Sequence, residues 1–281
     1  MPTASPARPS VATVVAAFLL SAAAAVAAWW GLGRPVEIVD VTGGRLECLS
    51  YTVTYPGASP LDADFAAPPG MLDADMRALK PLTDCIRTYS ALGSQGDAVT
   101  AAAKAGIKVM LGIWVSADDK ATAKEIARAI ELVKAYPDAI RLLVIGNEVL
   151  LRREMTPEKL AGIFRTVKAQ VPHPITYADI YEFWRRNAGL AREVDVVTVH
   201  VLPYWDDPEP VSIDEVQAHV KGIVTRARAT FPGKAMQIGE IGWPSAGRTR
   251  GMARPSLVNE ARFLREFARN ATDVGLPYNI I

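Results

Sequence analysis

Two apolar runs that each stop at a carboxylate constrain this chain more than anything else in it. The first is Arg141-Leu142-Leu143-Val144-Ile145, followed by Gly146, Asn147 and Glu148; the second is Met236-Gln237-Ile238, followed by Gly239 and Glu240. Uninterrupted apolar runs of this length suit strands covered on both faces, as in a parallel sheet flanked by helices. A glycine just ahead of each glutamate lets another group approach the backbone closely. Either glutamate alone is adequately explained as a helix cap or as the partner of an arginine. Two of them in matching contexts argue for a shared site.

The rest of the chain supplies the frame. Strand-like segments begin at Leu46, Cys85, Lys108, Arg141, Ile175, Asp195, Lys234 and Pro277, with helical segments between them. Asp119 to Tyr136 carries Ala123, Ile126, Ala127, Ile130 and Val133 on one helical face, and Thr156-Pro157-Glu158 supplies a cap with proline at the first helical position. Asp97 opens a helix that stops at Gly106, and Ser212-Ile213-Asp214-Glu215 reads as a capping box. Strict alternation predicts a parallel sheet, and eight strands in roughly 240 residues predict an α/β fold of the TIM (β/α)8 type. An open doubly wound sheet is the alternative, but no Gly-rich phosphate loop follows the first strand. Glu148 and Glu240 are 92 residues apart. At roughly 30 residues per βα unit they end strands four and seven and meet at the C-terminal mouth of the barrel. A facing carboxylate pair is the machinery of glycoside hydrolysis. The chain stops inside the eighth strand, so the barrel is expected to be incomplete there, without its last helix, as in a truncated chain.

Residues 1–35 read as a separate segment, 36–45 as a linker with Gly43-Gly44 near its end, and 46–281 as the barrel domain. Arg8 precedes an uncharged run from Val11 to Gly33 that includes Trp29 and Trp30 and is followed by Arg34. The run is long enough to span a bilayer, and the tryptophans suit its interface. It is read as a single-pass signal anchor with the barrel domain exported. A signal peptide cut after Ala25-Val26-Ala27, giving a secreted protein, is the alternative. Export gives Cys48 and Cys85, which open the first two strands, an oxidising compartment in which to bridge; two buried thiols are the other reading. The formal net charge of +1 and the lack of a basic cluster with interleaved aromatics argue against nucleic acid. His173, His200 and His219 are far apart in sequence, so neither a metal site nor a cofactor is expected.

With the strands placed, the chain resembles glycoside hydrolase family 17, the β-1,3-glucanases and related glucanosyltransferases, in its bacterial form. The carrying motifs are Gly146-Asn147-Glu148 and Glu240-Ile241-Gly242-Trp243-Pro244-Ser245. Supporting stretches are Arg87-Thr88-Tyr89-Ser90, Thr176-Tyr177-Ala178-Asp179 and Thr198 through Trp205. The resemblance implies a retaining mechanism on a β-glucan, with Glu148 as acid/base and Glu240 as nucleophile. It also brings Arg87 and Tyr89 to the substrate. Asn147 is placed to hydrogen-bond the sugar 2-OH, and Tyr204 to hold the charge of the nucleophile. Trp205 and Trp243 offer faces to sugar rings, as Trp184 does unless it is core. Tyr177 and Asp179 line the cleft, unless Asp179 caps the next helix. Hydrolysis and glucosyl transfer share this machinery, and a surface glucan-binding domain without turnover is the rival of another class.

Overall fold

The structure, a computed structural model, describes residues 9–41, 44–55, 65–205 and 210–281. Arg8, Gly43 of the linker and residues 56–64 of the long loop after the first strand lie outside the described residues. The chain forms two compact units, Met1–Ile38 and Val39–Ile281.

The first unit is the helix α1 (Val11–Leu32). Ser10 caps it by accepting from the Thr13 amide, and the Arg34 guanidinium lies 4.0 Å from the centre of the Trp30 ring. It has no charged residue and is long and apolar enough to cross a membrane.

The second unit is a barrel. Its strands are β1 (Leu49–Ser50), β2 (Cys85–Arg87), β3 (Lys108–Ile113), β4 (Ile140–Asn147), β5 (Ile175–Ile180), β6 (Val196–Val201), β7 (Ala235–Ile241) and β8 (Tyr278–Ile280). They pair in parallel, in sequence order, into a closed sheet. The sheet closes where an incomplete wall was expected, because the short β8 bonds on both sides: Tyr278 and Ile280 pair with β7, and Ile280 with Leu49 of β1. The helices around it are α2 (Met71–Leu79), α3 (Gly93–Ala105), α4 (Asp119–Ala135), α5 (Pro157–Lys168), α6 (Tyr181–Arg186), α7 (Val216–Thr230) and α8 (Leu257–Val274).

Local signals set most helix ends. Thr156 and Ser256 accept from the amides of Lys159 and Asn259, and Gly106 closes α3 in the left-handed region at φ 66°. Two signals misplace an end. The helix expected from Asp97 starts at Gly93. The expected capping box does not form, since Ser212 donates its hydroxyl to the Glu215 carboxylate and the helix opens only at Val216. Glu215, expected inside the first turn, stands instead at the N-cap position, without a side-chain cap.

Strand alternation stacks the barrel interior in layers. At the bottom Cys48 and Cys85, joined as a disulfide with Cα atoms 4.5 Å apart, pack with Met110, Leu142, Val144 and Ala178. Beside this cluster, on β5, β6 and β7, lies a set of bonded polar side chains. Thr176 and Thr198 share a 2.7 Å hydrogen bond, and the Gln237 amide donates to Thr198 at 2.8 Å. The top layer, two residues further along β2 from Cys85, holds Arg87. The larger core lies between sheet and helices. There Phe263 and Phe267 of α8 stack at 6.1 Å, and Phe267 meets Tyr278 of β8 edge-on.

Candidate active site

Glu148 and Glu240 line one cavity of about 730 Å³ at the barrel mouth, together with His200, Tyr181, Arg226 and Trp205. Register shifts aim both. The β4–β5 pairing slips between Val144 and Asn147, and the β6–β7 pairing slips so that His200 lies opposite Glu240. Gly146 has φ 82°, and a Cβ there would lie 2.7 Å from Val149 Cγ2. Glu148 itself is left-handed at φ 53°, an arrangement that costs a non-glycine residue on the order of 1 kcal/mol. The neighbouring strand holds it there: the Glu148 amide donates to the Ala178 carbonyl at 2.8 Å.

Glu240 is almost fully buried and is gripped by one cation and by neutral donors. Arg87, with no exposed surface, donates from Nη1 to Glu240 Oε1 at 2.9 Å and to the Gly239 carbonyl at 2.7 Å. Its Nη2 donates to Asn147 Oδ1 at 2.6 Å. That contact fixes the Asn147 amide, because its nitrogen cannot face another donor so closely. His200 Nε2 lies 2.9 Å from the same oxygen and therefore carries the proton. Its Nδ1 is buried with no partner among the described residues.

The two carboxylates titrate in opposite directions. Burial, with the charges of Glu240 and Asp179, pushes Glu148 up to about 7. For Glu240 burial also pushes upward, but the electropositive groups around it win and its pKa is lowered, with Tyr89 adding a hydrogen bond. Burial takes His200 down to about 4, so it is neutral at neutral pH and Arg87 is the charge that holds Glu240 ionised. At neutral pH the site thus pairs a half-protonated acid with a carboxylate, as acid-assisted displacement at a glycosidic carbon requires.

Residues 60–280 match the profile of the BtgE/BtgC glycoside hydrolase domain. The chain belongs to this family. Among curated relatives of this BtgE/BtgC domain is a probable glucan endo-1,3-beta-glucosidase of Emericella nidulans. It is 25% identical over 250 residues, which cover 77% of this chain and 52% of the relative. Another is the glucan 1,3-beta-glucosidase of Schizosaccharomyces pombe, 25% identical over 223 residues, 72% of this chain and 68% of that one. The chain spans about half the length of the first of these curated relatives. In fold it is similar to the glycoside hydrolase family 17 beta-1,3-glucanosyltransferase of Rhizomucor miehei, with TM-score 0.73 and 23% identity, covering 84% of this chain and 86% of that one. A Formosa endo-laminarinase superposes with TM-score 0.65 and 20% identity, over 84% of this chain and 77% of that one.

Several side chains that the sequence assigned to substrate are used by the BtgE/BtgC domain within its own structure. Tyr204 makes no hydrogen bond to Glu240 among the described residues; it is buried and donates to the Arg248 carbonyl at 2.6 Å. Tyr89, two residues beyond β2, hydrogen-bonds Glu240 instead, with its hydroxyl 2.8 Å from Ser50 Oγ and its ring centre 4.6 Å from the Arg87 guanidinium. Trp243 offers no sugar platform. It is 4% exposed, donates to the Arg254 carbonyl and stacks on Phe263, which fastens the end of β7 to α8. Trp184 is core, bonded to the Thr198 carbonyl. Tyr177 and Asp179 do not line the cleft, and Asp179 caps no helix; both are wholly buried and bonded to each other. Arg87 likewise holds the protein's own groups. Trp205 lies in the cavity wall, 56% exposed, with the Arg250 guanidinium 5.3 Å from its ring centre.

Three participants escaped the sequence reading. His200 stands in a stretch that supports the resemblance, but its spacing speaks only against a metal and gives it no role; a histidine inside an apolar strand run signals a held ring. Arg152 donates to the carbonyls of Asn147 and Val115 and lies 4.4 Å from the centre of the part-exposed Trp114 ring. Glu125, on α4, accepts from Ser90 and from the amides of Ala91 and Trp114, tying together the chain beyond β2 and β3. No local pattern marks either.

Proposed function

We propose that this chain is a retaining glycosidase acting on a β-glucan of β-1,3-linked glucose, with Glu148 as acid/base and Glu240 as nucleophile. The opposite tuning of two carboxylates in one cavity carries the reading. Glu240 attacks the anomeric carbon while Glu148 gives its proton to the departing glycosidic oxygen. Glu148 then takes a proton from the incoming water or sugar hydroxyl, which displaces Glu240. Asn147, its oxygen held by Arg87 and His200, keeps its Nδ2 hydrogens for the sugar 2-OH. Trp205 stacks a ring further along the cavity. The names borne by the relatives, glucan endo-1,3-beta-glucosidase and glucan 1,3-beta-glucosidase, support the linkage.

The proposal extends to location and layout. Residues 1–35 anchor the protein in a membrane, 36–45 link, and 46–281 form the exported catalytic domain. A mature N-terminus at Ala28 would replace the anchor with a cleaved signal. Small anions test the division of labour. In Glu240→Gly, azide attacks once and gives an α-glycosyl azide; in Glu148→Ala it attacks the glycosyl-enzyme and gives the β anomer. Opposite anomers would reverse the assignment, and wild-type activity in both variants would end it. On laminari-oligosaccharides, products longer than the substrate mean transfer, and shorter ones alone mean hydrolysis.

A further inference from the structure

The turn that carries Glu148 is fastened to β5 by more than strand pairing. The Glu148 amide donates to the Ala178 carbonyl at 2.8 Å, the Leu150 amide to the Tyr177 hydroxyl at 3.0 Å, and the Leu151 amide to the Asp179 carboxylate. Tyr177 passes its own proton donation on to Asp179 Oδ2, while Asp179 Oδ1 accepts from the Ile180 amide at 2.8 Å. The Tyr177 ring cannot swing away, because Phe164 and Trp184 flank it with ring centres at 5.8 and 5.5 Å. Asp179 has no exposed surface and no salt bridge among the described residues. A buried carboxylate kept without a cation is costly and calls for a use.

We infer that Asp179, oriented by Tyr177, is a positioning residue for Glu148: the pair clamps the turn in its left-handed form and sets a second buried negative charge beside the acid. This rests on Glu148 being the acid. The charged groups facing Glu148 are Glu240 from β7, Asp179 from β5, Arg152 from its own turn and Arg87 from β2. The two carboxylates favour the protonated acid and the two arginines oppose it. Burial raises Asp179 to about 6 while the Tyr177 hydroxyl and the Ile180 and Leu151 amides favour its ionised form, and that form repels an ionised Glu148. Its charge therefore holds the acid protonated into the pH range where Glu240 is already a carboxylate. Neither residue touches the substrate in this arrangement.

The test uses the full chain and two substrates, laminaritriose and an activated dinitrophenyl β-glucoside. Asp179→Asn keeps the side-chain shape and removes the charge. The alkaline limb of kcat/KM on laminaritriose should then move acidward by about half a pH unit or more. An unmoved limb overturns the electrostatic part. Tyr177→Phe removes the acceptor for Leu150 and the donor to Asp179. It should cost about tenfold or more on laminaritriose and far less on the activated glucoside, which needs little protonation. Equal losses on both substrates overturn the clamp, since a general structural defect does not discriminate between leaving groups. Glu148→Ala is run alongside. If it shows no leaving-group dependence, the acid assignment itself is wrong, whatever the two β5 variants do.

Discussion

Glu148 is held at a cost that the pH dependence of stability should expose. Its pKa is raised from 4.5 to about 7 in the folded chain, so the folded state binds this proton more tightly than the unfolded one. Stability from that proton is complete below about pH 4.5 and is lost as pH rises through 7. Glu148→Gln should therefore leave urea stability nearly unchanged at pH 4.5 and raise it at pH 8. With allowance for partial exposure the gain is about 2 kcal/mol. A gain of equal size at both pH values would mean that repacking, not charge, causes it. Arg87 has the opposite sign. It helps hold the Glu240 pKa below its ordinary value, which contributes stability above the unfolded pKa that fades as pH falls through the folded one. Arg87→Ala strands a buried carboxylate beside a neutral His200 and should cost about 3–5 kcal/mol at pH 7. The deficit should narrow in acid; one that is constant from pH 7 to pH 3 would contradict the ion-pair reading.

At the scale of elements, the site depends on how closely β6 and β7 approach. A Cβ on Gly239 would lie 2.4 Å from Thr198 Cγ2 and 2.9 Å from His200 Nδ1. Threonine is stiff and the His200 ring is held by Asn147, so neither can yield cheaply. Gly239→Ala should cost about 1–3 kcal/mol of stability by overpacking and should lower kcat more than it raises KM. Unchanged melting temperature and kcat would show that β6 moves aside freely. These elements also show what a linear sequence can convey. The apolar runs into Glu148 and Glu240, the Thr156 and Ser256 caps and the Gly106 stop are local patterns, and the strands and helices follow them. Where Tyr204, Trp243, Tyr177 and Asp179 point depends on register slips and on neighbours far away in the chain. A tyrosine two or three residues past a strand reads the same whether, like Tyr89, it meets Glu240 or, like Tyr204, the Arg248 carbonyl. The roles of the buried Arg87 and His200 were hidden likewise, since their partners lie on β4 and β7.

At the scale of the molecule, the disulfide connects the compartment to the stability of the barrel. Cys48 and Cys85 are 37 residues apart and join the residue just before β1 to the first residue of β2, two strands whose pairing is short. Between them lie α2 and the long loop, a segment whose freedom in the unfolded chain the bridge restricts. For a loop of that size the entropic contribution is about 3–4 kcal/mol. In a domain of this length that corresponds to roughly 10 °C in melting temperature. The full chain, expressed with α1 in place, should show no reactive thiol under denaturing, non-reducing conditions. The Cys48→Ser/Cys85→Ser double variant should melt about 10 °C lower, and a reductant should lower only the parent. Two reactive thiols in the exported parent, or a variant that melts with it, would remove the bridge from the stability of the fold. A bridged parent recovered without its N-terminal helix would keep the bridge and favour the cleaved signal over the proposed anchor.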